Sequence, residues 1–200
     1  MDRTRNPFLF DVTNRFGVPS PVKRATARND QSKSPEPVTN LRKRTMTIRS
    51  ATSDDHDFIL SLVPRFVAFE LPKGRRKRDC LAAIGADIDR ALREAHEGVQ
   101  FFVVDDRNGA RLGFLHLQIQ RDFFSGERSC HVSDIAVAPG QDGRGIGRAL
   151  LAHAETWALA NHCKLLTLSV FPANARARGL YEQVGFTTDL VRMAKSLKDP

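Results

Sequence analysis

Cysteine is scarce in this 200-residue chain, and the three present, Cys80, Cys130 and Cys163, are far apart and odd in number. They spell out neither a disulfide framework nor a zinc-ligand set, so no metal and a reducing, cytoplasmic setting are expected. No apolar run approaches membrane-spanning length and no hydrophobic secretory segment opens the chain, so no membrane partner is expected. The pattern Gly-x-x-x-x-Gly-Lys-Ser/Thr is missing, which excludes a P-loop. A dinucleotide-binding fingerprint fails too, because the glycines alternate as Gly143-x-Gly145-x-Gly147 in mid-chain, not as Gly-x-Gly-x-x-Gly behind an opening strand. Internal repeats are absent, and tyrosine occurs once, as Tyr181.

What is present suits one domain with an appendage. A hydrophobic content of 41% is enough for a sizeable core. The formal net charge of +8 is unevenly spread: residues 1–45 hold ten basic against four acidic side chains, and the remainder 21 against 19. The first 45 residues are rich in Pro, Ser, Thr and Asn and lack sustained periodicity, so they read as a disordered basic tail before a folded domain over 46–200. Met46 is a candidate true start. Asp2 and Asp11 sit poorly with an organelle transit peptide. With the charge in the tail, no nucleic-acid partner is expected; a tail that did bind one would do so salt-sensitively and lose it when 1–45 are deleted.

From residue 46 the signals are regular. A short strand over 46–50 leads to Ser53 as N-cap, with Asp54 and Asp55 in the first turn of a helix whose buried stripe is Phe58, Ile59, Leu62, Val63 and Phe66, and which Pro64 shortens or kinks. A second helix carries Leu81, Ile84, Ile88 and Leu92 behind the basic run Arg75-Arg76-Lys77-Arg78, read as a solvated face. Residues 101–104 and the alternating strand of Leu115, Leu117 and Ile119 with His116, Gln118 and Gln120 flank an Asn108-Gly109 hairpin turn. A strand ending at Pro139, a helix with Ile146, Leu150, Ala154, Trp157 and Ala158, a strand over 164–171, a helix capped by Asn174 and stopped by Gly185, and a last strand over 186–193 complete an α/β sheet of mixed direction.

The chain is organised around Val132-Ser133-Asp134-Ile135-Ala136-Val137-Ala138-Pro139 and the following Gly140-Gln141-Asp142-Gly143-Arg144-Gly145-Ile146-Gly147-Arg148. A buried strand, a glycine-rich turn and the start of an apolar helix present unpaired N–H groups without Cβ atoms in the way, an arrangement suited to phosphate. Strict alternation puts His131, Ser133, Ile135 and Val137 on one face and Cys130, Val132, Asp134 and Ala136 on the other; a bulge would shift that phase.

Val137-Ala138-Pro139 with Gly143-Arg144-Gly145-Ile146-Gly147-Arg148-Ala149-Leu150-Leu151, and then Asn174-Ala175-Arg176-Ala177-Arg178-Gly179-Leu180-Tyr181-Glu182-Gln183-Val184-Gly185-Phe186, resembles the GNAT superfamily of N-acetyltransferases. The resemblance implies the GNAT acyl-CoA N-acyltransferase fold: a mixed central sheet of six or seven strands, four flanking helices, and a splayed strand pair at the cofactor site. It also implies direct transfer of an acetyl group from acetyl-CoA to a primary amine, on a small molecule or a protein, within a ternary complex, and it allows a homodimer. Pantetheine would pair with the backbone of Ile135, Ala136 and Val137, Val137 would offer its N–H to the thioester carbonyl, and the diphosphate would lie on Gly143, Arg144, Gly145, Ile146 and Gly147 with Arg148 close by. Asn174 would cap its helix and meet the pantetheine. Asp142 departs from the usual Gln or Arg of the turn.

The resemblance makes Tyr181 the proton donor to the leaving thiolate, and its phenol is protonated at neutral pH. The base is more open. His131 falls where relatives carry a Glu or His and titrates in the useful range, while Asp134 and Glu70 are carboxylate rivals. Cys130 is discounted as a nucleophile because the family transfers the acyl group directly. The competing reading is a non-catalytic acyl-CoA-binding or regulatory module of the same fold.

Overall fold

The computed structural model describes residues 46–94, 97–195 and 197; the tail expected over 1–45 lies outside them. Five strands, β1 (Thr47–Ser50), β2 (Val99–Asp105), β3 (Arg111–Arg121), β4 (Arg128–Val137) and β5 (Leu165–Leu168), form one sheet in sequence order. The first three pairings are antiparallel and β4–β5 is parallel, which makes the sheet mixed as expected. The β2–β3 hairpin closes at Gly109, whose φ of +76° is open to glycine at no steric cost, while the Asp106 carboxylate accepts from the N–H groups of Asn108 and Ala110.

Helices cover both faces. α1 (His56–Ser61) is followed by a 3-10 turn (Val63–Val67), because Pro64 cannot continue an α-helix with a backbone N–H. Together with α2 (Lys77–Arg93) they bury Ile59, Leu62, Val63 and Ile88 against Phe101, Val103, Phe114 and Ala136. On the other face α3 (Ile146–Ala160) packs Ile146, Leu150, Ala154 and Ala158 against Phe102, Val104, Leu115, Leu117, Cys130 and Val132. α4 (Ala175–Gln183) meets the start of α3, where a Cβ on Gly147 would stand 3.0 Å from Leu180 Cδ2.

The structure corrects three expectations. The cap of the first helical segment is Thr52, one residue before Ser53, with its N–H donated to the Asp55 carboxylate at 2.8 Å. The strand expected over 164–171 is only Leu165–Leu168. The last strand, expected over 186–193, is not formed: Leu190, Val191 and Met193 stand in solvent, and the sheet has five strands among the described residues where six or seven were expected.

Candidate active site

The strand shortening opens the site. β4 and β5 pair only from Ser129↔Leu165 to Val132↔Leu168, and the next residue of β4, Ser133, is a bulge, since β3 steps from Leu117↔Val132 to His116↔Asp134. Beyond it β4 stays with β3 and leaves β5, so a gap opens between the two parallel strands. The Ala138 N–H donates to the Leu112 carbonyl at 2.8 Å, which makes Gly113↔Val137, and by alternation Leu115↔Ile135, pairs without mutual hydrogen bonds. The N–H and C=O groups of Ile135 and Val137 therefore point away from β3, into the gap, whereas those of Ala136 are spent on β3.

The glycine turn continues from that edge. Gly143 and Gly145 take φ of +75° and +79°, and Gly145 is the residue before α3. Among the described residues none of the amides of residues 143–148 has a protein acceptor, so the donors of the first turn of α3 and of the turn before it stand free together. Arg144 adds a buried Nε without a partner, while its Nη1 reaches the Gln141 side chain. Gly147 lacks a Cβ for another reason, the contact with Leu180. Arg148 donates to Gln183 at 2.8 Å.

Asp142 does not aim an uncompensated charge at this turn. Its carboxylate accepts from Arg65 at 2.7 and 2.9 Å and lies 2.7 Å from Arg176. Burial pushes Asp142 up, but Arg176 and Arg65 outweigh it and hold the carboxyl below its ordinary range. The acid thus brings two guanidiniums, one from the 3-10 turn and one from α4, to the mouth of the glycine turn.

The bulge also overturns the expected phase of β4. Cys130 and Val132 share the α3 face with Ile135 and Val137, and His131 shares the α1–α2 face with Asp134 and Ala136. Two rungs result: Phe101–His116–Asp134, and beside it Gln118–His131–Thr167. His131 Nδ1 lies 2.8 Å from Thr167 Oγ1, which in turn reaches the Cys130 carbonyl at 3.5 Å. With the hydroxyl proton on that carbonyl, Thr167 accepts from Nδ1–H, which leaves the lone pair of His131 on Nε2, and Nε2 has no partner among the described residues. Burial pushes His131 below the usual histidine range, with Asp134 opposing and His116 assisting.

Tyr181 is half-buried on α4, edge-on to Phe186 at 5.9 Å, and burial pushes its phenol above the usual range. The Asn174 side chain accepts from the Ala177 N–H at 3.2 Å as the cap of α4. Glu70 is exposed between the 3-10 turn and α2, with no ion pair among the described residues. Next to it a cleft of about 670 Å³ is lined by Val67, Ala68, Phe69, Leu71, Arg75 and Lys77. Phe171, on the course of β5 past the gap, packs on Phe69 at 5.6 Å and carries the Arg75 guanidinium over its ring. The Cys130 thiol is pushed up to about 12, chiefly by burial, which is no state for a nucleophile.

Sequence reasoning missed His116, Gln118, Thr167, Arg65 and Arg176. His116 had a signal: it interrupts Phe114-Leu115-His116-Leu117 on a strand apolar on both sides, so a polar residue there is buried and needs partners. The two arginines had none, because their meeting with Asp142 is long-range.

The acetyltransferase (GNAT) family model matches residues 68–186. The uncharacterized N-acetyltransferase YhfO of Bacillus subtilis is 32% identical over 144 residues, 72% of this chain and 91% of that protein. Among solved structures, a ribosomal-protein-alanine N-acetyltransferase from Brucella melitensis shares the fold with a TM-score of 0.58 at 18% identity, over 76% of this chain and 100% of the other. The aminoglycoside N-acetyltransferase AAC(6')-Iy in complex with CoA does so with a TM-score of 0.57 at 20% identity, over 80% and 100%.

Proposed function

The chain belongs to the GNAT family of acetyltransferases, and from that premise we propose that it moves an acetyl group from acetyl-CoA directly to a primary amine. The observation that carries this reading is the continuity between the unpartnered amides of residues 143–148 and the backbone of Ile135 and Val137 that faces the gap. Together they make a strip of donors and acceptors suited to a diphosphate joined to an amide-containing arm. The CoA complex of a protein with the same fold supports the choice of anion. Acetyl-CoA would bring an acetyl group on a thioester, and the new C–N bond forms as the C–S bond breaks.

The chain's own groups then have distinct tasks. Val137 N–H polarises the carbonyl from the edge of the gap. His131 takes the proton of the acceptor's ammonium on Nε2; its lowered affinity for protons leaves it unprotonated at neutral pH and ready to act. Tyr181 gives its hydroxyl proton to the departing thiolate, and burial keeps that proton in place until then. The amine enters beside Phe69 and Phe171. The reaction belongs to a reducing cytoplasm, in which Cys80, Cys130 and Cys163 remain free thiols.

Calorimetry with acetyl-CoA followed by thiol release with a panel of primary amines tests this. Binding together with amine-dependent release is the expected result; binding without release from any amine would leave the non-catalytic module. Tyr181→Phe is expected to keep the acetyl-CoA Kd and lower kcat about 100-fold, the low end for loss of a general acid. Full turnover in that variant would remove Tyr181 from the role.

A further inference from the structure

His116 is a fully buried histidine paired with a carboxylate, on the first three-strand rung past the Ser133 bulge. Placing such a pair in a core is unfavourable compared with apolar side chains of the same volume, so its geometry calls for a use. His116 Nδ1 lies 2.8 Å from Asp134 Oδ2, and an ionised carboxylate only accepts, so Nδ1 carries the proton. Gln118 Nε2 stands 3.2 Å from His116 Nε2 and donates to it. Both ring nitrogens of the imidazole are thereby committed. It has no lone pair left with which to take a proton from an acceptor. Phe101 stacks on the ring at 4.0 Å and 11°, which fixes its plane.

Asp134 is held on one side only. Its side chain is 13% exposed, and Oδ1 has no partner among the described residues. Through the Ser133 bulge it shares a face with His131, whose Nε2 is also free.

This inference rests on the acetyltransferase reading above: we propose that His116 is a positioning residue, pinning Asp134 through Oδ2 so that Oδ1 receives the acceptor's ammonium beside His131 Nε2. The ammonium gives one proton to Nε2 and becomes the amine that forms the C–N bond; the imidazolium left on His131 faces the Asp134 carboxylate. An unpinned Asp134 would be free to rotate and leave the ammonium without its acceptor. The groups facing His131 are Asp134 on its own strand, His116 and the Gln118 amide on β3, and the Thr167 hydroxyl on β5.

The test sets three substitutions against each other. His116→Asn places an amide N–H about where Nδ1 was and is expected to retain kcat/KM for the amine within about threefold. His116→Phe fills the site and stacks on Phe101 but offers no donor, and His116→Gln puts its donor at the Nε2 position, out of reach of Asp134. Both are expected to lose about 100-fold in kcat/KM, the size of effect that misplacing a reacting group by 1 Å produces. All three are expected to bind acetyl-CoA as the parent does. A packing role predicts the reverse order, with phenylalanine tolerated and asparagine damaging, so that order overturns the proposal, as does parental activity in the glutamine variant. If the parent protein binds acetyl-CoA and releases no thiol with any amine, the acetyltransferase reading itself has failed and the proposal falls with it.

Discussion

His131→Ala is expected to lower kcat/KM for the amine by about 10²–10⁴-fold, the range for losing a positioned general base, while acetyl-CoA binds as before. The reason is the position of one lone pair. Thr167 holds Nδ1–H and leaves Nε2 as the basic atom of His131, on the face it shares with Asp134. The pH profile carries the second half of the expectation. Because burial outweighs the Asp134 charge and sets the folded pKa of His131 below the usual value, activity is present above that pKa and falls away as the pH drops through it, on the acid side of about 6.5. In Asp134→Asn the burial acts unopposed, so the acid limb of kcat/KM is expected to move lower still. In His131→Ala the limb disappears along with most of the rate. A limb that stays in place with activity retained would transfer the role of base elsewhere, with Glu70 the next carboxylate to replace.

What the sequence made legible was local. The glycine turn, the helix it opens and the Asn174 cap are set by residues within a few positions of each other, and they stand where the spacing put them. The phase of β4 was not legible in the same way. One extra residue at Ser133 reverses every side chain after it, and period-2 counting cannot see which residue a partner strand will skip. That single slip separates a reading in which His131 and Asp134 lie on opposite faces from the structure, in which they are neighbours. His116 was read only as a polar residue alternating with Leu115 and Leu117, yet both faces of β3 are covered by helices and the side chain is sealed. The missing strand over 186–193 shows the same limit: alternation states a local preference, and pairing is a long-range event that it does not specify.

Replacing Asp55 with alanine is expected to destabilise the folded domain by about 3 kcal/mol, the loss of charge-assisted bonds at a fully buried carboxylate, and to lower Tm by about 10 °C for a domain of this size. Asp55 accepts from Arg49 at 2.7 and 3.0 Å, from Arg111 at 2.5 Å and from the Thr52 N–H at 2.8 Å, while Arg49 reaches on to Asp105 at 2.6 Å. One carboxylate therefore ties the entry of α1 to β1, β2 and β3. The figure stays well below the cost of a stranded buried charge because both arginines are about one-third exposed and turn to water when the acid is gone. The Arg49 bond chiefly, then the Thr52 N–H and Arg111, hold the Asp55 carboxyl far below its ordinary range against the opposing effect of burial. A depressed carboxylate stabilises fully above its unfolded pKa of about 4 and loses that contribution as pH falls through the folded value. Parent stability should accordingly decline steeply below about pH 4, and that part of the decline should vanish in Asp55→Asn. Thermal unfolding from pH 3 to 7 measures both effects. Because the cluster lies at the β1 side of the sheet and the gap at the β5 side, acetyl-CoA affinity at low temperature should be unchanged in either variant; a Tm within 2 °C of the parent in Asp55→Ala, on about 0.5 kcal/mol or less, would mean that the arginines hold nothing together.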